Sequence, residues 1–427
     1  MISIPELYAF YRQHPHAQTD SRKLQPGEIF FALKGPRYDG HEFVAAALEK
    51  GASYVVVDRP EAVLNDRCLL VADTLRALQL LARHHRMQQN IPFLAIGGSN
   101  GKTTTKELIR SVLSTTYQAY ATPGNWNNHI GIPLTLLAMP PETNIAIIEM
   151  GANHIGEMMQ YCDMVNPTHG LVTNIGKDHL EGFGSIEGVK KAYNELFDYL
   201  RITRGTAFVC QDDTELITLS EGIPYRFTYG ASPEARVSGT VVQADPFLQL
   251  QVRLEGKEVL IRTQLIGRYN FQNIMAAIAV GLYWGVPIPR IQAGIAEYTP
   301  QNNRSQLVEK DGNTYILDAY NANPSSMKAA IENFAALNAE KKILLLGAMK
   351  ELGAASESEH RELIRLISQY PWHLVALAGE EFAGISHPYL YFPDAASLRN
   401  WWKSQHITGA HVLVKGSRSL AMEQVIN

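Results

Sequence analysis

Residues 93–110, FLAIGGSNGKTTTKELIR, constrain the fold more than any other stretch of the chain. Phe93, Leu94, Ala95 and Ile96 form a short apolar run that reads as a buried strand. Gly97, Gly98 and Gly101 permit a tight turn, and Lys102 and Thr103 open a helix. The bare N–H groups of a first helical turn, with the helix dipole behind them, favour an anion at this point. Lys102 is a mobile positive charge able to reach outer phosphates, and the Thr103 hydroxyl is placed to ligate Mg²⁺. A glycine turn alone fits an ordinary strand-to-helix connection equally well, but glycine followed by Lys-Thr favours a phosphate-binding loop. Predicted nucleotide contacts are therefore Gly98, Asn100, Gly101, Lys102, Thr103 and Thr104. The general P-loop carries a further glycine five residues before Gly101, where this chain has Ile96.

A buried strand feeding a helix calls for parallel neighbours covered on both faces. NIAIIEMG, GLVTNIG and GTAFVC are further continuous apolar runs separated by helical stretches, which predicts a central nucleotide-binding α/β domain over residues 91–303. Between Tyr225 and Thr263 the pattern changes to alternation (RVSGTVVQA, FLQLQVRLEG, KEVLIRTQL), suggesting an antiparallel patch attached to that domain. Residues 1–90 hold shorter strand-like runs (IFFAL, SYVVVD, CLLVAD) between helical patterns, as in a small α/β domain. Residues 304–427 repeat strand then helix from TYILDAY to HVLVKGS, a Rossmann-like sheet without the G-x-G-x-x-G fingerprint. Its ligand edge is expected at Asp318, Lys350 and Lys415.

Composition bounds the partners. With 46% hydrophobic and 19% charged residues in 427, and no apolar stretch long enough for a membrane span, the chain reads as a soluble multidomain protein. MISIPELYAFYRQ lacks a basic stretch followed by an apolar core, so no secretory signal is expected and a cytoplasmic location is. Cys68, Cys162 and Cys210 have no metal-ligand spacing and fit a reducing compartment. A net charge of −4 without a run of Lys and Arg argues against a nucleic-acid partner.

Two more strand ends carry chemistry. NIAIIEMGANH presents Glu149, and GLVTNIGKDHLEGFGS presents Asp178 and His179. The carboxyl ends of neighbouring parallel strands meet on one edge, so both can share a cleft with Thr103 and a nucleotide. A carboxylate ligating Mg²⁺ is ordinary chemistry; an imidazole beside it implies a second, weaker metal site, because Mg²⁺ prefers oxygen. Standing alone, Glu149 reads equally well as a cap or surface acid, and His179 as a structural histidine. TPGNWNNHIGIPLTLL packs Asn125, Asn127 and Asn128 into a turn, which is plain loop chemistry or a set of amides for a polar substrate. DAYNANPSSM puts Asp318 at a strand end and Asn321, Asn323 and Ser325 around Pro324, while Lys415 and Arg418 of VLVKGSR flank a turn suited to a carboxylate.

These segments, with DSRKLQPGEIFFALKGPRYDGHEF at residues 20–43, GRYNFQNIMAA and GAMKELG, resemble the Mur ligases of bacterial cell-wall synthesis over essentially the whole chain. YNANP, HLEGFGS and KGSR are similar to the branch that adds the terminal dipeptide. The resemblance implies a three-domain α/β architecture: an N-terminal domain for the UDP-sugar, a central P-loop ATPase and a C-terminal Rossmann-like domain that closes over the nucleotide. It implies ATP and Mg²⁺ as cofactors and ligation of D-alanyl-D-alanine to UDP-N-acetylmuramoyl-tripeptide through an acyl phosphate. A monomer is expected by the same analogy. Ser21 and Arg22 are implied near the UDP moiety, and Asn125, Asn127 and Asn128 at the UDP-linked substrate. Lys102, Glu149 and His179 are implied as catalytic, with Thr103, Glu149 and His179 at the metals. Asn270 or Asn273 is implied near adenine, and Arg304 and Asp318 at the nucleotide from the closing domain. Tyr320, Asn321, Asn323, Lys415 and Arg418 are implied to line the nucleotide and dipeptide side.

The chain departs from the family pattern at several positions. Where the family carries a carbamylated lysine two residues before a glutamate, GVKKAYNELF has Tyr193. A phenol forms no carbamate, and on a helix Lys190 sits a turn away while Lys191 faces elsewhere. The expectation is a working ligase with an altered second metal site, one metal being held mainly by Glu149, Thr103 and phosphate. Tyr269, Ala319, Ala348 and Ser419 are smaller departures. A nucleotide-binding subunit with impaired ligation, or another amino-acid ligase of the superfamily, are the alternatives; retention of Lys102 and Glu149 weighs against the first, YNANP and KGSR against the second.

Overall fold

The strand-turn-helix built from residues 93–110 sits in the middle of a nine-stranded sheet in the computed structural model, which describes residues 1–427 except Arg37 and Asn302. From one edge the strands run Ala119–Ala121, Ile145–Glu149, Phe93–Gly97, His169–Val172, Thr206–Cys210, Tyr225–Gly230 and Val237–Gln243, all paired in parallel. Every residue of Phe93–Gly97, Ile145–Glu149 and Thr206–Cys210 is buried, which is why these strands read as unbroken apolar runs. The strands Gln249–Leu254 and Lys257–Arg262 then add antiparallel pairs to the same sheet. The alternation over residues 225–263 suggests an antiparallel patch attached to this domain, and Val237–Gln243, Gln249–Leu254 and Lys257–Arg262 pair in that way as a continuation of the central sheet. Tyr225–Gly230 differs, pairing in parallel with Thr206–Cys210. One face of these outer strands is solvated, and that produces the alternation.

The N-terminal sheet has four strands, Ala17–Gln18, Ile29–Phe31, Tyr54–Val57 and Cys68–Leu70, all parallel. It follows the helix Ile4–Gln13, whose start is fixed by a capping box between Ser3 and Glu6. Its buried residues Leu7, Tyr11, Leu78 and Leu81 belong to the same apolar core as Phe93, Leu108 and Ile148 of the central sheet. Polar ties reinforce the joint: Tyr11 donates to the carbonyl of Leu137, and the buried Arg86 donates to the carbonyls of Val165 (2.7 Å) and Asn166 (2.8 Å).

The C-terminal sheet runs Gln306–Lys310, Asn313–Asp318, His411–Lys415, Lys342–Gly347, Leu374–Ala378 and Leu390–Phe392. Only the first pair is antiparallel. Its helices pack it into its own apolar clusters, in which Ile266 is the one buried member from the central region. No helix among the described residues is long and apolar enough to cross a membrane, and Cys68, Cys162 and Cys210 are free and buried.

In the N-terminal domain His41 bridges Asp39 (2.7 Å) and Asp58 (3.1 Å), and Arg59 adds a second partner to Asp39 at 2.7 Å. The hydrogen bond from His41, then that from Arg59, holds the Asp39 carboxyl down at about 2 from an ordinary 3.8. A carboxyl depressed in the folded state stabilises above its unfolded value and loses that contribution as pH falls through the folded one. The melting-temperature gap between the wild type and Asp39→Asn is therefore expected to be largest above pH 3.8 and to shrink as pH falls towards 2; thermal melts across that range check it.

Candidate active site

The phosphate-binding loop owes its shape to two glycines. Gly98 has φ +118°, and a Cβ there would lie 2.2 Å from the Thr173 hydroxyl; Gly101 has φ +81°, and a Cβ there would lie 2.6 Å from Asn273 Oδ1. Ile96 occurs where a longer P-loop has glycine because the strand is still running at that point: it is fully buried and pairs across to Glu149. The loop is laced to the next strand end. Asn100 N donates to Asn174 Oδ1 (3.1 Å), and Thr173 Oγ1 donates to the Asn100 carbonyl (2.6 Å). Lys102 folds back to donate to the carbonyls of Gly98 and Ser99, and burial pulls its ammonium pKa down against the opposing charges of Asp178 and Glu149.

Register then sets Glu149 beside the loop. Its Oε1 accepts from Thr103 Oγ1 (3.0 Å) and from Asn127 Nδ2 (2.8 Å). Its Oε2 is buried with no hydrogen-bond partner among the described residues. A hydroxyl and an open carboxylate oxygen at a phosphate-binding loop are the donors a hard, oxygen-preferring cation takes, so this pair fits Mg²⁺. Among the described residues no three His, Cys, Asp or Glu side chains converge as a ready-made metal cage.

These groups open onto a cleft of about 750 Å³ between the central and C-terminal domains. It is lined by Asn100, Gly101, Lys102, Thr103, Thr104, Asn125, Asn127, Asn128, Glu149 and His179, by Asn270 and Asn273, and by Arg304, Asp318, Tyr320, Asn321, Asn323 and Lys415. Of the predicted site residues, Gly98 supports the loop from behind, and Ser21, Arg22 and Arg418 do not line the cleft. Ser21 and Arg22 lie on the N-terminal domain, where Lys50 holds both of their carbonyls and the 87% exposed Arg22 side chain pairs with Asp20. Asn273 bonds Thr105 (3.0 Å) and Asn270 (2.8 Å), tying the helix Phe271–Tyr283 to the P-loop helix.

The Lys415–Arg418 turn reads in the sequence as suited to a carboxylate; in the structure buried Lys415 pairs with Asp318 at 2.6 Å, and Arg418 pairs with Glu423 at 3.1 Å. Both bases have acceptors within a few residues of the strand ends, which a linear motif does not show. Arg304 lies over the Tyr320 ring at 3.6 Å, leaving its guanidinium at the cleft wall. His179, with φ +44°, faces Glu351 of the C-terminal domain at 2.6 Å. That hydrogen bond pulls the Glu351 carboxyl below its ordinary value. Lys177 reaches Glu359 at 2.6 Å, its main-chain N donates to Ser325 Oγ at 2.9 Å, Glu181 N donates to the Glu351 carbonyl at 3.1 Å and Asn323 Nδ2 donates to Asn100 Oδ1 at 2.9 Å, so a set of polar contacts closes the two domains on the loop.

Tyr193 is 1% exposed and sits directly behind the loop. Its hydroxyl donates to Asp178 Oδ2 (3.1 Å), Asp178 Oδ1 accepts from the Ser99 hydroxyl (2.6 Å), and its ring faces the Lys102 ammonium at 5.7 Å. Burial, then the charge of Asp178, pushes the phenol pKa well up, so it stays a donor. Lys190 is engaged by Glu215 at 2.5 Å and Lys191 is exposed, so neither takes the place of a lysine at position 193. Lys106, four residues past Lys102, is fully buried and makes contacts that motif reading missed. The available signal was a lysine on the stripe shared by Ile109, Val112 and Leu113, where period predicts an apolar residue.

The Mur ligase middle domain matches residues 96–281, the Mur ligase glutamate ligase domain residues 303–418, and the Mur ligase family catalytic domain residues 16–92. The UDP-N-acetylmuramoyl-tripeptide–D-alanyl-D-alanine ligases of Bacillus subtilis and Escherichia coli are each 36% identical, with 96% of this chain covered and 91% and 92% of those proteins. Crystal structure I of MurF from Acinetobacter baumannii aligns with a TM-score of 0.87 at 31% identity, covering 96% of this chain and 92% of that one. MurF ligase from Thermotoga maritima in complex with ADP aligns with a TM-score of 0.85 at 26% identity, covering 100% and 97%. The chain belongs to the Mur ligase family.

Tyr193→Phe leaves Asp178 Oδ2 buried without its phenol donor. A loss of about 1–3 kcal/mol of stability is expected, together with weaker ATP binding because Ser99 loses its fixed acceptor; thermal unfolding and calorimetric titration of nucleotide measure the two effects.

Proposed function

We propose that this chain is an ATP-dependent amide-bond-forming ligase that joins D-alanyl-D-alanine to UDP-N-acetylmuramoyl-tripeptide in peptidoglycan precursor synthesis. The observation that carries the reading is the convergence, in one cleft, of the P-loop, Glu149, the asparagine segment and the YNANP turn of the C-terminal domain. Full-length likeness to ligases named for this reaction supports it.

In this reading the UDP end of the substrate rests on the N-terminal domain near Ser21 and Arg22, and its peptide reaches the cleft past Asn125, Asn127 and Asn128. Asn270 or Asn273 faces adenine, and Arg304, Asp318 and Tyr320 approach the nucleotide from the other wall. Lys102 offsets charge on the γ-phosphoryl group as the terminal carboxylate of the tripeptide attacks it, giving ADP and an acyl phosphate. The amine of D-alanyl-D-alanine then attacks the acyl carbon, the C–O bond to phosphate breaks, and inorganic phosphate leaves. Thr103 and Glu149 would hold Mg²⁺, which supplies further positive charge at the phosphates. Asn321, Asn323 and Lys415 shape the dipeptide side. The polar contacts His179–Glu351 and Lys177–Glu359 keep the domains together while the acyl phosphate exists, which limits its loss to water. Buried free cysteines and the lack of a membrane-crossing helix among the described residues accord with a cytoplasmic enzyme. A monomer is expected by family analogy.

A mixture of ATP, Mg²⁺, UDP-N-acetylmuramoyl-tripeptide and D-alanyl-D-alanine is expected to release phosphate and yield a UDP-linked pentapeptide by mass spectrometry, with no product when any one component is omitted. No product with nucleotide still bound would instead indicate a binding subunit. Lys102→Ala is expected to lower turnover by about a hundredfold or more, since a charge aimed at the transferring phosphoryl group is lost. Because Tyr193 replaces the lysine and Lys190 is engaged by Glu215, turnover is expected to be the same with and without added bicarbonate. Intact-mass analysis is expected to show no labile carbon dioxide adduct.

A further inference from the structure

Lys106 lies within the helix Lys102–Ser114, one turn beyond Lys102 and three residues past Thr103. Its side chain is 0% exposed. The ammonium donates to the main-chain carbonyls of Thr122 (2.6 Å) and Gly124 (2.7 Å), pairs with Glu107 Oε1 at 3.1 Å, and lies 3.6 Å from Glu149 Oε2. An enclosed ammonium is unfavourable unless acceptors surround it, and an apolar side chain would fill the same stripe without that requirement. What distinguishes Lys106 is therefore where its acceptors lie. Both carbonyls belong to the start of the segment carrying Asn125, Asn127 and Asn128.

That segment runs between the strand Ala119–Ala121 and the helix Gly131–Leu137. Its internal bonds are short-range: Trp126 N to Pro123 O at 3.1 Å and Asn127 N to Asn125 O at 2.7 Å. Strand-edge bonds anchor its first residue, from Thr122 N to the Ile147 carbonyl (3.0 Å) and from Glu149 N to Thr122 Oγ1 (2.9 Å), and Gln79 Nε2 donates to the His129 carbonyl (3.1 Å) near its end. Further ties orient what lies between. Lys106 holds its beginning, and the Glu149 edge holds its middle, through Asn127 Nδ2 to Glu149 Oε1 (2.8 Å) and Gly151 N to the Asn127 carbonyl (2.8 Å). Lys106 also supplies the nearest positive charge to the open Glu149 oxygen. Lys106 thus touches the segment, the carboxylate and its own P-loop helix at once.

We infer that Lys106 is a positioning residue for the UDP-linked substrate, setting the asparagine segment against the nucleotide loop so that the acceptor carboxylate and the γ-phosphate meet. The inference rests on the ligase reading for the identity of that substrate, while the loop-fixing role rests on the contacts alone.

The test compares wild type, Lys106→Met, Asn127→Ala and the double variant. In the substrate-free protein, amide hydrogen exchange over residues 123–131 is expected to quicken about tenfold in Lys106→Met, as for a lost charged hydrogen bond. Exchange in Lys102–Ser114 and Ile145–Glu149 is expected to hold steady. In turnover, KM for the UDP-linked tripeptide is expected to rise about tenfold or more while KM for ATP stays within about twofold. Adding Lys106→Met to Asn127→Ala is expected to raise it little further, since both act through one segment. Unchanged exchange in the segment overturns the inference. Uniformly faster exchange, with kcat and both KM values altered alike, also overturns it and marks Lys106 as packing only. If Lys106→Met fails to fold, Lys106→Gln, which keeps an amide donor without charge or reach, is read by the same two outcomes. The exchange experiment needs no substrate, so absence of product from the wild type counts against the ligase reading alone.

Discussion

A carboxylate removed from water must be met by donors or positive charge, and at Glu149 these come from two separate stretches of the chain. Thr103 and Lys106 belong to the P-loop helix, the first donating a hydrogen bond and the second standing 3.6 Å away as a charge, and Asn127 belongs to the asparagine segment. Strand register is what makes this possible, because Ile96 pairs across to Glu149 and so puts the strand end beside the turn that begins at Gly98. One oxygen is saturated by neutral donors and the other is left open, so the group is held in place without being used up. Moving the strand by one residue would turn Glu149 to the opposite face and undo all three relations.

Behind the loop a second buried carboxylate works differently. Asp178 is filled from both sides, by the Ser99 hydroxyl and by the Tyr193 phenol. With Asn174 and Thr173 also bonded to Asn100, the anion-binding turn is braced by the neighbouring strand end. The shape of the turn therefore depends on residues from about 74 to 94 positions further along the chain. Tyr193 closes this arrangement with a neutral donor to Asp178.

What the sequence made legible was whatever burial forces into composition. Strands enclosed on both faces appear as apolar runs, and the glycine turn with Lys102 and Thr103 carries its own chemistry. Short edge strands such as Ala119–Ala121 and Gln306–Lys310 left no such imprint, because their residues are mostly half-exposed and their partners are distant. The cleft was foreseen at its walls, through Glu149, Asn127 and Asp318, but the pairings were not. Lys415 looks free in VLVKGSR until the neighbouring strand brings Asp318 to it, and Lys106 looks like a surface charge until the helix turns it inward. Side-chain partners depend on which strands become neighbours, and that order is a property of the whole sheet.

Asn323 carries a final consequence. Its carbonyl oxygen accepts from Ser326 N at 2.8 Å to begin the helix Pro324–Ala335, while its amide nitrogen donates to Asn100. The helix start survives if the second bond breaks, so the C-terminal domain can leave the loop with its own structure intact. Among its other links, Lys177–Glu359 and His179–Glu351 join groups that water solvates readily once parted, while Ile266 packs into its apolar cluster. The N-terminal joint is of the opposite kind, since separating it would expose the apolar surface of a shared core. Among the described residues the two seams thus differ in kind: the N-terminal one is an extensive shared apolar core, whereas the C-terminal one joins polar contacts to a small apolar patch around Ile266, Leu180 and Phe247, so parting the second would expose far less hydrocarbon to water.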